Sequence, residues 1–199
     1  MYRKRSALVL LILLVLGITV SNTATAQGIS TGSTLPLISE SFQDATGKSV
    51  RLSDLTGSKG TVVVFWSNEC PWTSKAEGRV MDLARTYGGQ GIGFILINSN
   101  DPVAFPKENA EASSKKGYSV PYIMDVDSRL SSAFGAERMP HFYVFDGSNK
   151  LVYSGAIDDS PGDPSNVRDP YLKNALDAVV SGAEVGTPVT KSFGCMIKP

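Results

Sequence analysis

Two cysteines carry most of the chemistry that this 199-residue chain could perform. Cys70 stands directly before Pro71, four positions past an apolar run, and Cys195 follows 125 positions later. Proline favours the first position of a helix, so Cys70 is expected at or beside an N-cap. Unpaired backbone N–H groups and the helix dipole concentrate partial positive charge there. Such a place stabilises a thiolate, the form that attacks disulfides and peroxides. Glu69 acts against this, because a neighbouring negative charge raises a thiol pKa. Cysteine is also often a small buried hydrophobe. For Cys195 three readings stand: it resolves an oxidised Cys70, it ties the tail to Cys70 in a structural disulfide, or it stays free. A bond closing so long a loop would contribute roughly 4–5 kcal/mol in the chain-entropy treatment. It requires Cα atoms within roughly 4.4–6.8 Å of each other.

Composition narrows the alternatives. The 19 Lys and Arg residues balance 19 Asp and Glu, and 42% of the chain is hydrophobic, which argues against disorder. Without a basic excess, no nucleic-acid partner is expected. One histidine and two cysteines could build a zinc site only with help from carboxylates, so neither a metal nor a cofactor is expected. The acidic loop Asp158-Asp159-Ser160-Pro161-Gly162-Asp163 lacks the alternating spacing of a calcium loop and reads as a solvated turn.

Residues 1–26 read as an export signal: Arg3, Lys4 and Arg5, then an uncharged stretch from Ala7 to Val20, then Ala24-Thr25-Ala26 for cleavage. The apolar stretch is shorter than the roughly 20 residues that span a bilayer. The expected product is therefore periplasmic or secreted, cut near Ala26. It meets the membrane only through the signal segment, if that stays uncleaved. The segment holds three bases and no acid, so the remainder is net −3. Export leads to an oxidising compartment, where disulfides persist.

These residues need a frame to position them. Residues 27–34 read as a flexible leader, and 35–55 as short runs around a hairpin turn at Asp44-Ala45-Thr46-Gly47. Thr61 to Trp66 is a β-branched and aromatic run suited to a strand buried on both faces. Trp72, Ala76, Val80, Leu83, Ala84 and Tyr87 follow a helical period over 71–86. Residues 93–97 form a second buried strand, 103–116 a polar helix, 122–124 a short edge strand, and 128–134 a small helix stopped by Gly135. A hairpin joins 141–146 to 150–155 through Gly147-Ser148-Asn149. The last helix starts with Asp169 as cap and Pro170 in its first turn, and 183–199 is an irregular tail. Alternating strands and helices place the chain in the α/β class, as one domain over 35–182 with helices on both faces of a central mixed sheet.

Phe65-Trp66-Ser67-Asn68-Glu69-Cys70-Pro71, followed by Met139-Pro140-His141-Phe142-Tyr143-Val144-Phe145-Asp146, resembles a thioredoxin-fold redoxin. The resemblance is to the peroxiredoxin-like branch of the alkyl hydroperoxide reductase and thiol-specific antioxidant superfamily. It runs on through Val120-Pro121-Tyr122, Ser132 to Ala136, Leu151 to Asp159 and Phe193 to Lys198. It implies a thiol-dependent oxidoreductase with Pro140 as the cis-proline facing the thiol; the residues themselves suggest Cys70 as nucleophile, resolved by Cys195 if that thiol comes within reach. Trp72, Met139 and Arg138 are candidates for the substrate groove. The implied substrate is a protein disulfide or a small peroxide, with an external thiol as reductant and no cofactor.

Two departures bear on the chemistry. Ser67 stands where many relatives have the first cysteine of a Cys-x-x-Cys pair, and in the plain thioredoxin register Thr73 replaces the second. No dithiol can form at the turn. The peroxiredoxin pattern Pro-x-x-x-Thr-x-x-Cys finds a hydroxyl in Ser67 but has Val63 in place of proline. His141, the one histidine, is expected to pack beside Pro140 rather than serve as a base. Arg138 could polarise a thiolate or simply face solvent. The alternative to an enzyme is a silent thioredoxin-fold binding module with structural or inert cysteines, and a buried Cys70 sulfur would favour it. A copper-delivery protein of this fold would need the first cysteine that is missing here.

Overall fold

β-branched and aromatic runs form the middle of the sheet, since such side chains suit a pleated surface covered on both sides. The computed structural model describes residues 28–199. Its elements are β1 (Ser41–Asp44), β2 (Ser49–Arg51), β3 (Gly60–Phe65), α1 (Pro71–Gly88), β4 (Ile92–Asn98), α2 (Ala110–Ser114), β5 (Tyr122–Met124), α3 (Arg129–Phe134), β6 (Arg138–Met139), β7 (His141–Asp146), β8 (Leu151–Gly155), α4 (Tyr171–Ser181) and β9 (Cys195–Met196). Seven strands make one mixed sheet in the order β2-β1-β5-β4-β3-β7-β8, and β6 pairs separately with β9. β3, β4 and β5 are parallel neighbours, whereas β1 and β7 join antiparallel.

All six residues of β3 are buried. Successive side chains of a strand point to opposite faces. Val62 and Val64 therefore meet Ala76 and Val80 of α1 and Leu172 and Leu176 of α4. Val63 and Phe65 meet Ile95 and Ile97 of β4 and Leu130 and Phe134 of α3 on the other side. The α/β class, the mixed sheet between helices and the hairpin of β1 and β2 follow the pattern of the sequence. The export segment read at 1–26 lies outside the described residues. Among the described residues, no helix is long and apolar enough to cross a membrane.

Several local readings change. Tyr122–Met124 is not at an edge, because the β1–β2 hairpin adds itself outside β5. The polar helix read at 103–116 shrinks to a 3-10 turn at Pro106–Glu108 and the five residues of α2. Asn109 breaks the run by capping α2, its side chain accepting the Ala112 N–H at 2.8 Å. Pro170, not Asp169, occupies the N-cap of α4, and no side chain caps it. The leader at 28–34 is tied down rather than free: the N–H of Ile29 donates to Phe134 O, and that of Gly32 to Leu151 O. Nor is the acidic loop wholly solvated, since Asp158 is buried and pairs with Arg79.

The tail is irregular for most of its length, but backbone contacts hold it. Thr190 N–H donates to Ser154 O at 2.9 Å, and β9 lies antiparallel to β6 with Met139 opposite Cys195. Gly194 makes that approach possible at φ +153, with its α-carbon against the Met139 carbonyl. A β-carbon there would collide with backbone that cannot move aside. Gly194→Ala is therefore expected to lift β9 off β6. Partial free thiol after air oxidation, read by thiol titration, would register the lift, and full oxidation at the wild-type rate would contradict it.

Candidate functional site

The site forms where β3 runs out and α1 begins. Cys70 is the N-cap of α1, in extended conformation, with Pro71 in the first turn and no acidic residue there. With no side-chain cap on the helix, its first N–H groups face the cysteine end. Ser67 organises the connecting turn: its Oγ accepts the Cys70 N–H at 3.0 Å and the Glu69 N–H at 3.2 Å. The Thr73 hydroxyl lies 2.7 Å from the carbonyl oxygens of both Ser67 and Cys70. The two residues that replace family cysteines thus serve as hydrogen-bonding struts.

Beneath this turn lies a residue that the sequence did not single out. Glu108 is 2% exposed, and its carboxylate accepts from Ser67 Oγ at 2.5 Å, Asn68 N–H at 2.8 Å, Glu69 N–H at 3.2 Å and Asn98 Nδ2 at 2.8 Å. Four donors compensate the burial of a carboxylate that, among the described residues, has no cation paired with it. Glu69, expected to oppose the thiolate, instead reaches out to Lys107 at 2.8 Å. In the sequence Glu108 sits in a polar stretch after a proline, with nothing to set it apart from a solvated acid.

Opposite Cys70 the Met139–Pro140 peptide is cis. Met139 is buried, and its carbonyl oxygen lies 3.4 Å from Cys70 Sγ. Cys70 and Cys195 are joined in a disulfide with Cα atoms 6.1 Å apart, inside the usual range. The tail is held on both sides of the bond. Arg138 Nη1 donates to Gly194 O at 3.0 Å, and Ile197 N–H to Glu137 O at 2.9 Å. Further on, Lys198 O accepts from Asp101 N–H at 2.7 Å. Trp72 meets Phe193 edge to face with ring centres 4.5 Å apart. Of the candidate residues, Cys70, Cys195, Pro140, Ser67 and Met139 converge on the bond. Trp72 and Arg138 touch the tail that carries it, so Arg138 neither faces bare solvent nor reaches the thiol.

Two aromatic candidates serve packing. Trp66 is fully buried and donates its indole N–H to Tyr118 OH at 3.3 Å. The ring nitrogens of His141 engage Ser154 Oγ at 2.9 Å and Tyr143 OH at 3.1 Å. Burial lowers the His141 pKa to about 4. In the unfolded chain a histidine titrates near 6.5. Between these values the unfolded state binds the proton and the folded state does not, so stability falls as pH drops from about 6.5 to about 4. The full fall is at most about 3 kcal/mol. Urea midpoints at pH 4, 5, 6 and 7 should show it, and His141→Phe should flatten the slope. An unchanged slope would remove His141 as its source.

A helix N-cap cysteine at the end of a central strand, facing a cis-proline, defines a thioredoxin-type redox fold. The redoxin family profile matches residues 30–170. The chain belongs to the redoxin family. It is similar to thiol-disulfide oxidoreductase ResA of Bacillus subtilis (strain 168), 26% identical over 74% of this chain and 80% of that one. ResA of Geobacillus thermodenitrificans (strain NG80-2) is 29% identical over 74% and 82%. Among solved structures, a hypothetical protein of Sinorhizobium meliloti 1021 superposes with a TM-score of 0.78 at 36% identity, covering 86% of this chain and 96% of that one. Peroxidoxin BcpB of Mycobacterium tuberculosis shares the fold alone, with a TM-score of 0.57 at 22% identity over 77% and 97%.

Proposed function

We propose that the chain is an exported thiol–disulfide oxidoreductase whose Cys70–Cys195 bond opens and closes in exchange with cysteines of other proteins. The single observation that carries this reading is the bond itself, formed between an N-cap cysteine and a tail laid over it. Opening the bond leaves Cys70 as a thiolate at the positive end of an 18-residue helix. The tail stays nearby through its own backbone contacts, ready to close the bond again. Similarity to the ResA proteins supports the same chemistry. Export rests on the segment at 1–26, and mass analysis of the mature product should place its start near residue 27.

A second reading draws on one observation, the 4% exposure of Cys70. A sulfur so covered suits a permanent staple in a binding module. Equilibration of the oxidised chain in graded glutathione buffers separates the two. An exchanger yields two thiols together at one midpoint, and Cys70→Ser abolishes the transition. A bond that persists natively through the most reducing buffer speaks for the module. Treating the reduced chain with hydrogen peroxide or with oxidised glutathione then identifies the electrophile. Faster closure by peroxide would move the substrate class from disulfides to peroxides.

A further inference from the structure

The two sulfurs of the bond are placed unequally. Cys70 is 4% exposed, and Met139, Pro140, Ser67 and Thr73 around it are buried as well. Cys195 is only half-buried, and it lies between Phe193 and Met196, which are 46% and 50% exposed. Which sulfur of a disulfide is attacked depends on access and on the acidity of the thiol expelled. Both criteria select the same direction here. Cys195 is the more exposed residue of the pair, and Cys70 is the one that caps a helix N-terminus and so leaves as the more stabilised thiolate. Cys195 sits in a two-residue strand of the tail and is not itself part of a helix end.

We infer that Cys195, not Cys70, forms the mixed disulfide with the partner. This rests on the exchange reading and reverses the roles expected from the sequence. The thiolate of a partner cysteine attacks Cys195 Sγ, the Cys70–Cys195 bond breaks, and its electron pair passes to Cys70 Sγ. A second partner thiolate then attacks the partner sulfur bonded to Cys195 and releases the Cys195 thiolate. Two electrons have moved from the partner dithiol to the chain, and the partner has gained a disulfide. Run backwards, Cys195 attacks the partner disulfide, and Cys70 then attacks Cys195 to expel the partner. Cys70 is thus the resolving thiol, and the tail is the arm that meets the substrate. Phe193 and Met196, both exposed, are apolar neighbours of Cys195 along the tail, suited to a partner cysteine flanked by apolar side chains.

Brief exposure of the oxidised full chain to glutathione, with iodoacetamide present to trap the thiol released, tests the assignment. Peptide mass mapping of singly glutathionylated molecules should find glutathione on Cys195 and the alkyl group on Cys70, in excess of the reverse pattern by about tenfold or more. A preponderance of glutathione on Cys70 overturns the inference while leaving the exchange reading in place. If neither cysteine takes glutathione and the bond yields only after denaturation, the exchange reading fails, and the assignment with it.

Discussion

Cys195→Ser is expected to cost the domain about 4–5 kcal/mol of stability relative to the oxidised wild type. The bond closes a loop of 125 positions, and most of its effect acts on the unfolded chain, which it deprives of conformations. β9 has only two residues, so the variant should also loosen its pairing with β6, while the backbone contacts of Ile197 and Lys198 keep the tail nearby. Urea unfolding of the wild type with and without reductant provides the internal control. The reduced wild type and Cys195→Ser should coincide, both well below the oxidised protein. A variant within about 1 kcal/mol of the oxidised wild type would mean that the loop-closure account is wrong for this tail. The same variant cannot form the intramolecular disulfide, so the two-thiol transition in glutathione buffers should vanish along with the stability. That pairing links fold to chemistry: each turnover loosens the tail that the bond secures.

Glu108→Leu should be the next most damaging change. It leaves Asn68 N–H and Ser67 Oγ without an acceptor and takes one of two from Asn98 Nδ2, which keeps the Glu108 carbonyl at 3.2 Å, all beneath the Cys70 turn. Each buried polar group stranded in this way costs about 1–3 kcal/mol, so the loss should be about 3–5 kcal/mol. Glu108→Gln keeps two acceptor lone pairs and should lose less. The glutamine variant also removes a negative charge from below Cys70, which favours the thiolate. In the reduced protein, thiolate absorbance against pH should therefore show a lower Cys70 pKa for Glu108→Gln than for the wild type. An unshifted titration together with a stability loss under about 1 kcal/mol would reduce Glu108 to an ordinary buried acid.

Much of this molecule could be read from residues close together in the chain. The Thr61–Trp66 run is apolar at every strand position, so it belongs in a sheet covered on both faces, and β3 is buried throughout. Cys70 before Pro71 specifies a helix start through backbone geometry alone, and Cys70 is the N-cap. Gly135 stops α3 in the left-handed conformation, at φ 64. Each of these signals needs no more than a few neighbouring residues.

The readings that failed depended on what lies across the molecule. Tyr122–Met124 carries the pattern of a strand, but its rank in the sheet depends on a hairpin some 70 residues earlier that adds outside it. Glu108 carries no local mark of burial. Its importance comes from the Asn68 and Glu69 amides, 40 and 39 positions away. The cysteines show the division most clearly. Their number, the reactive position of Cys70 and the family resemblance are properties of the sequence, and they leave three fates open for Cys195. Folding excludes the free thiol, because Gly194 lets β9 lie against Met139 and so brings Cys195 over the helix end, where it bonds to Cys70. It also leaves Cys70 covered and Cys195 partly exposed. No spacing along the chain encodes that difference, since it arises where a tail crosses a helix end 125 residues before it.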